Sequence, residues 1–533
     1  MSLLRLRISL LIGRMSAASG ASAQDANSEP SSTSTTTSTS TSDDWSEVVK
    51  RFRSVTNSQS TASARRRSSA DAERKGNCAR GRDLVRADLG DARLVRRAVG
   101  LIEALAKAPH LSLPKVWSSE AELEAGYHFV RNSRVEFTSL MEPVQLETRR
   151  RALEERRVLI LHDTTDVTCP AAEPDEVGHL PTGKAGFFAH HALCVSSANP
   201  RKPLGILWSE LWGRPRRTQG RARSRAGSEF AKLEERESDR WLEGVTEAQL
   251  WAQGCEQVVH VMDREADSFR LFEHMHEIGA DFIVRLRHDR RLEDERLIDS
   301  LSESECKLRR TVAIRSRKAK PMPRYTHKGR LAREVDLTVR CARIEMQPPK
   351  YLRQHSAPIA LNVVQVLEEN PPPGVEPIAW VLATSMPITS KAQIEAVIDG
   401  YCARWLIEEF HKALKTGCMF EKRQLESFES ITSLLALCYP IACELLRVRW
   451  RARQPGIAAS EVLRASLLVC LRAHPKAKTC RHRQARRAFE AQRAARVGNA
   501  RRRVHASAHL RERMARREKP ATDMINGQAS AYS

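Results

Sequence analysis

The apolar and polar positions sort the chain into two kinds of stretch. Val158–Asp163 (VLILHD) and Val258–Asp263 (VVHVMD) are short, β-branched-rich runs without alternation, the pattern of strands buried on both faces of a sheet. Each run stops at an aspartate, which places a carboxylate at the strand end where α/β sheets hold their ligands. Further strands are expected at His190–Ser197, Pro203–Trp212, Phe282–His288, Leu337–Met346, Ile359–Glu369 and Ile378–Pro387. Helical spacing marks Leu94–Ala108, a helix capped at Ser118–Ser119, Glu235–Val245, Ile431–Trp450 with a kink at Pro440, and Ala459–His474.

Tyr401–Lys415 (YCARWLIEEFHKALK) contains no Gly or Pro and reads as one helix. At about 100° per residue, Tyr401, Arg404, Glu408, Lys412 and Lys415 share one face, and Glu409 points away. Taken alone, such a stripe is most simply a solvated, salt-bridged helix face. A lone aspartate at a strand end is equally a helix cap or a turn start. Two of them together with Glu408 make three hard oxygen donors, the type Mg²⁺ requires.

Composition adds a partner. The chain has 533 residues, enough for two or three domains, and its 88 Lys+Arg against 65 Asp+Glu leave a net charge of +23. That excess favours a polyanion, nucleic acid first and an anionic membrane second. No apolar run reaches transmembrane length, so no membrane partner is expected. The 12 cysteines are scattered without a C-x-x-C pair, which argues against a zinc ribbon or disulfide framework and fits a reducing cytosol. Residues 1–82 are rich in Ser, Thr and Arg and read as a disordered arm. The basic run from Arg214 is either a solvated loop or a groove for a phosphate backbone. The tail from Lys476 is basic, with nonspecific DNA contact its only expected role.

Tyr401–x2–Arg404–x3–Glu408–x6–Lys415 matches the YREK signature, and the chain resembles the DDE transposases of bacterial insertion sequences, in particular the IS-four family to which the Tn-five transposase belongs. HDTTDVT (His162–Thr168) resembles the segment around that family's first catalytic Asp. MDREADSF (Met262–Phe269) and FIVRLRH (Phe282–His288) resemble the segment around its second. LGDARLVRR (Leu89–Arg97) and YHFVRN (Tyr127–Asn132) resemble its amino-terminal domain, which binds the transposon end.

The resemblance implies an α/β fold: an RNase H-like catalytic core, a mixed sheet flanked by helices, with a β-rich insertion. A helical amino-terminal DNA-binding domain and a helical carboxyl-terminal region complete it. The corresponding boundaries are 83–155 for end binding, 156–450 for catalysis with the insertion at about 282–390, and 451–533 for dimerisation and the basic tail. It implies that Asp163, Asp263 and Glu408 hold two Mg²⁺ ions, with Mn²⁺ able to substitute. Such a pair, about 4 Å apart, activates the attacking water and stabilises the leaving oxygen. By the same resemblance Tyr401, Arg404 and Lys415 contact phosphate beside the transposon end, and Arg285 contacts DNA near the cut. Trp380 stacks on an extruded base, although a core strand tryptophan is an equal reading. Arg93, Arg96, Arg97 and Arg131 are the expected phosphate contacts of the amino-terminal domain.

The implied activity is cut-and-paste transposition through hairpin ends. The partners are double-stranded terminal inverted repeats and target DNA, held by a homodimer in the bacterial cytoplasm at the nucleoid. The competing readings are a catalytically silent, transposase-derived DNA-binding protein and an RNase H-like nuclease. A nuclease has no need of the YREK stripe, and decay is not expected to leave all three carboxylates.

Overall fold

A computed structural model describes residues 87–454, except 118, 216–238, 315, 317–319, 322–325 and 328, together with residue 457. The expected Ser/Thr-rich arm, most of the basic run after Arg214, the helix at Ala459–His474 and the basic tail lie outside these residues.

Among the described residues nine strands form one mixed sheet. They are β1 (Arg157–Thr168), β2 (Gly186–Ser196), β3 (Pro203–Trp212), β4 (Gln257–Met262), β5 (Asp281–Arg285), β6 (Cys306–Ile314), β7 (Arg333–Met346), β8 (Ile359–Glu368) and β9 (Ala379–Thr384). Their order across the sheet is β3-β2-β1-β4-β5-β9-β8-β7-β6. The contacts β1–β4 and β4–β5 are parallel, and every other pairing is antiparallel. The β-rich segment after the second aspartate is therefore no separate layer. Its last strand, β9, pairs with β5 through Leu382↔Arg285, so β6–β9 widen the central sheet.

Helices cover this sheet. Before β1 come α1 (Ala92–Lys107), α2 (Glu120–Val130) and α3 (Phe137–Ala152). Asp91 caps α1 by accepting from Arg93 N, and Ser119 caps α2 by accepting from Glu122 N, as its sequence suggested. After β4 comes α4 (Phe269–Glu277), and after β9 come α5 (Lys391–Cys402), α6 (Trp405–Lys412) and α7 (Phe428–Arg453). Helix α7 is apolar and long enough to cross a membrane, but 83% of its most apolar window is buried inside the protein. It packs against β3 and α3 as a core helix.

Two sequence expectations change. β1 does not stop at Asp163 but runs on to Thr168, because β2 continues to pair with it as far as Thr168↔Gly186. Its pairing with β4 ends earlier, at Leu161↔Val261. Nor is Tyr401–Lys415 a single helix. Ala403 N shares the carbonyls of Asp399 and Gly400, and this tight turn separates α5 from α6. After α6 a π-helical turn, Ala413–Gly417, carries Lys415.

Candidate active site

Strand register builds the site. β1 and β4 pair in parallel from Arg157↔Gln257 to Leu161↔Val261. Two residues further on, Asp163 and Asp263 stand level with each other, just beyond the last paired position. Side chains alternate along a strand, so both aspartates share the face of Leu161 and Val261. That face is roofed by α6, whose Ile407 and Phe410 join Leu159, Leu161, Val259 and Val261 in one apolar cluster with Leu414. The opposite face, with Val158, Ile160 and Val258, packs against Ala152, Ala248 and Trp208. Burying Ile407, Phe410 and Leu414, all at 0% exposure, stabilises this roof by about 1.5–3 kcal/mol each. Their burial carries Glu408 over the strand ends.

Asp163 is 7% and Asp263 5% exposed. Asp163 Oδ1 accepts from Thr164 N at 3.1 Å. Asp263 Oδ1 accepts from Glu265 N at 2.9 Å and so caps the short turn Arg264–Ala266. The Glu408 side chain is the most open of the three at 28%. Burial pushes the Asp163 carboxyl well above the usual carboxylate range; Arg404 pulls it back, while Asp263, Glu408 and Glu265 push it further up. Burial and Asp263 likewise raise Glu265. Asp163, Asp263, Glu408 and Glu265 thus crowd one site around the Arg404 guanidinium, an arrangement that suits a cation.

Arg404 is 3% exposed. Its Nη1 lies 3.5 Å from Asp163 Oδ2 and its Nη2 3.6 Å from Glu408 Oε1, so the guanidinium spans the two acids. His411, one helical turn past Glu408, places Nδ1 3.8 Å from Asp163 Oδ2. Donor atoms of Asp163, Glu408 and His411 all lie within 4.8 Å of one another. Asp263 stands beside Asp163, with its Oδ1 capping the turn that follows, and His411 joins Asp163 and Glu408 in the close donor set. The sequence reading passed over His411, although its signal was present. In E-x-x-H, residues three apart on a helix face the same way.

Two buried polar chains back the site. On the roofed face His411 Nε2 lies 3.2 Å from His191 Nδ1, and His191 Nε2 lies 2.8 Å from the Tyr439 hydroxyl. That hydroxyl in turn lies 3.0 Å from Ser209 Oγ. On the opposite face Thr164 Oγ1 lies 2.9 Å from His190 Nδ1, and His190 Nε2 3.4 Å from His162 Nδ1. His162 Nε2 then lies 2.9 Å from His260 Nδ1, and His260 Nε2 2.9 Å from Gln249 Oε1. Burial drives His190, His260 and His411 each down to about 3, so all three rings are neutral near pH 7.

Comparison with known families agrees with this geometry. Residues 80–135 match the family described as transposase DNA-binding, and residues 240–442 match the transposase DDE domain. The chain carries a transposase DNA-binding domain and a transposase DDE domain. The second match includes Asp263, Glu408 and His411, and Asp163 lies on the amino-terminal side of it. Among solved structures, the chain matches a piggyBac transposase synaptic complex with hairpin DNA, at 10% identity over 89% of this chain and 82% of that one. The TM-score of 0.33 is too low to establish a shared architecture.

The remaining expected DNA contacts fall into two groups. Arg93, Arg96 and Arg97 are exposed on α1, opposite its buried Ala98, Leu101, Ile102 and Leu105, and Arg131 is exposed at the end of α2. These are open to a phosphate backbone. The expected contacts around the DDE site are more enclosed. Trp380 is 2% exposed and meets Tyr401, itself at 3%, edge to face with ring centroids 5.2 Å apart. Its indole is part of the core in this structure, with no open face on which a base stacks. Arg285 is buried, and its Nη2 donates to Ala379 O at 3.2 Å. Lys415 Nζ lies 3.1 Å from Asp166 Oδ1 and 3.6 Å from Glu421 Oε1. The stripe read as Tyr401, Arg404, Glu408, Lys412 and Lys415 is therefore broken: Tyr401 and Arg404 are buried, and only Lys412 is exposed. Glu409 points away from the site and pairs with Arg449.

Proposed function

We propose that the protein is a cut-and-paste transposase of an insertion sequence, related to the IS-four family, that cleaves DNA at the element's ends and joins them to target DNA. One observation carries this reading. The β1–β4 register brings Asp163 level with Asp263, and α6 carries Glu408 to within 4.8 Å of Asp163. Oxygen donors crowded in a buried site, with the Asp163 carboxyl raised by burial and further by its acidic neighbours, fit a divalent cation. Asp163 and Glu408 would hold it, with Asp263 alongside. Mg²⁺ bound there, or Mn²⁺ in its place, would supply the Lewis acidity for attack on a phosphodiester.

The chain's own groups do the rest. Arg404 keeps Asp163 and Glu408 oriented and offsets their repulsion. Arg93, Arg96, Arg97 and Arg131 bind the backbone of the terminal repeat. In the reaction water adds to phosphorus and the bond to the 3′ oxygen breaks, leaving a 3′ hydroxyl and a 5′ phosphate. That hydroxyl then attacks a phosphodiester of the opposite strand or of target DNA, whose own P–O3′ bond breaks and leaves a new 3′ hydroxyl. Joining two ends requires both in one complex, so the working form is a dimer on paired ends.

The test is cleavage of DNA carrying the repeats that flank the gene, with Mg²⁺. Breaks at the repeat boundary, absent in Glu408→Gln, are expected. Tight binding of the repeats without cleavage in either metal would overturn this reading in favour of a silent DNA-binding protein. Sequence-independent cutting of branched DNA would point to a nuclease.

A further inference from the structure

The chain from His411 to Ser209 has a direction. His411, His191 and Tyr439 are buried and Ser209 is half-buried, and each neutral imidazole has one donor nitrogen and one acceptor nitrogen. Only two proton orders are consistent. In one, His411 Nε2–H donates to His191 Nδ1, His191 Nε2–H donates to Tyr439 and the tyrosine hydroxyl donates to Ser209. This leaves a lone pair on His411 Nδ1, turned toward Asp163. In the other order every proton shifts and His411 Nδ1 becomes a donor. Its neighbour Asp163 Oδ2, at 3.8 Å, is beyond hydrogen-bond range, so in that order the N–H faces the carboxylate without bonding it. The first order avoids this, and it sets an imidazole lone pair beside two carboxylates.

We propose that His411 is a nitrogen ligand of the cation site, and that His191 and Tyr439 are positioning residues that hold its Nδ1 lone pair toward Asp163 and Glu408. The donor atoms are already spaced for one ion, all within 4.8 Å of one another. Arg404 spans the two acids without closing on either. Its contacts of 3.5 and 3.6 Å are longer than the roughly 2.8 Å of a direct charge-assisted bond. A ligand's second nitrogen held by a buried partner is the usual device for fixing tautomer and ring orientation in metal sites. His191 and Tyr439 serve that role here from β2 and α7, neither of which touches the ion. The consequence is a mixed nitrogen–oxygen donor set. Imidazole suits the transition ions, so the site should prefer Mn²⁺ and Co²⁺ to Mg²⁺ more strongly than three carboxylates would.

This inference rests on the reading of Asp163 and Glu408 as a cation site. The experiment is Mn²⁺ binding to the full-length, DNA-free protein, followed by electron paramagnetic resonance, with electron spin-echo modulation to detect coupled ¹⁴N. The wild type should bind Mn²⁺ with a ¹⁴N coupling. His411→Gln should abolish the coupling. Tyr439→Phe, which keeps the packing, and His191→Gln should weaken Mn²⁺ by roughly ten-fold or more and reduce the ¹⁴N coupling, beyond any fall in thermal midpoint from the lost buried hydrogen bond. Mn²⁺ binding that is lost in Asp163→Asn yet shows no ¹⁴N coupling would overturn the proposal and leave the cation site standing. No Asp163-dependent binding at all would overturn both. If Tyr439→Phe and His191→Gln lower the thermal midpoint while affinity and coupling stay unchanged, the pair is core structure and its positioning role is refuted.

Discussion

β1 carries a chain of buried imidazoles on each face, and the two end differently. The chain on the face away from the site begins at the Thr164 hydroxyl, passes through His190, His162 and His260, and stops at Gln249. Its last acceptor is an amide oxygen and its first donor a hydroxyl, so one proton order satisfies every ring nitrogen. The chain on the site face begins at Ser209 and Tyr439, passes through His191 and His411, and reaches Asp163 at a distance too long for a hydrogen bond. The closed chain is a self-sufficient core network. The open one leaves a nitrogen facing an acid pair. A buried histidine alone therefore says little about function, and where its chain ends decides.

The largest expected effect separates the acid at the open end from everything behind it. Asp163→Asn should lower repeat-end cleavage by about a thousand-fold, the scale of losing a catalytic ion's several kcal/mol. Gel-shift binding to the repeats should stay within about two-fold. Equal loss of binding and cleavage would mean that Asp163 holds the fold rather than the chemistry.

Next is the middle of the closed chain. His162→Leu strands a nitrogen on both His190 and His260 and should destabilise the protein by about 2–5 kcal/mol, read from denaturant unfolding. His411→Gln, at the open end, should cost clearly less stability and far more Mn²⁺ affinity. The reverse ranking would dissolve the contrast between the two chains.

The closed chain also predicts a pH response. His190 and His260 fall from an ordinary 6.5 to about 3 in the folded protein, because burial disfavours the charged ring. Between those values the unfolded chain binds protons that the folded one does not. Stability is therefore complete above about pH 6.5 and is lost as pH falls toward 3. The thermal midpoint should drop steeply from pH 7 to pH 4, and His260→Gln should flatten that drop. An unchanged slope in the variant would show that His260 is not buried as a neutral ring.

Much of this architecture was legible in the sequence. VLILHD and VVHVMD gave the two central strands, and their equal spacing from strand start to Asp is what the parallel register turns into adjacency. Ser119 marked the cap of α2 and Glu408 the acid on α6. What failed depended on tertiary contacts. Trp380 could be read from sequence as a base-stacking or a core residue, and only the packing of sheet and helix, which also buries Tyr401, decides for the core. The break at Ala403 is invisible to helix propensity, because αR backbone continues through it while the hydrogen-bond pattern shifts. His411 was missed because helical neighbours were counted by charge, and a neutral imidazole carries none at pH 7.

The smallest effect probes the point where the two chains come closest along β1. Thr164 follows Asp163 and gives its hydroxyl to the closed chain, while its backbone N–H bonds the Asp163 carboxylate. Thr164→Val keeps the shape and the N–H and removes only the hydroxyl. If the closed chain is purely structural, His190 loses one partner, stability falls by about 1 kcal/mol, and Mn²⁺ affinity does not move. A ten-fold loss of Mn²⁺ affinity in this variant would mean that the closed chain also sets the orientation of Asp163. The opposite face of the sheet would then belong to the site, and the contrast would be one of distance from the ion rather than of role.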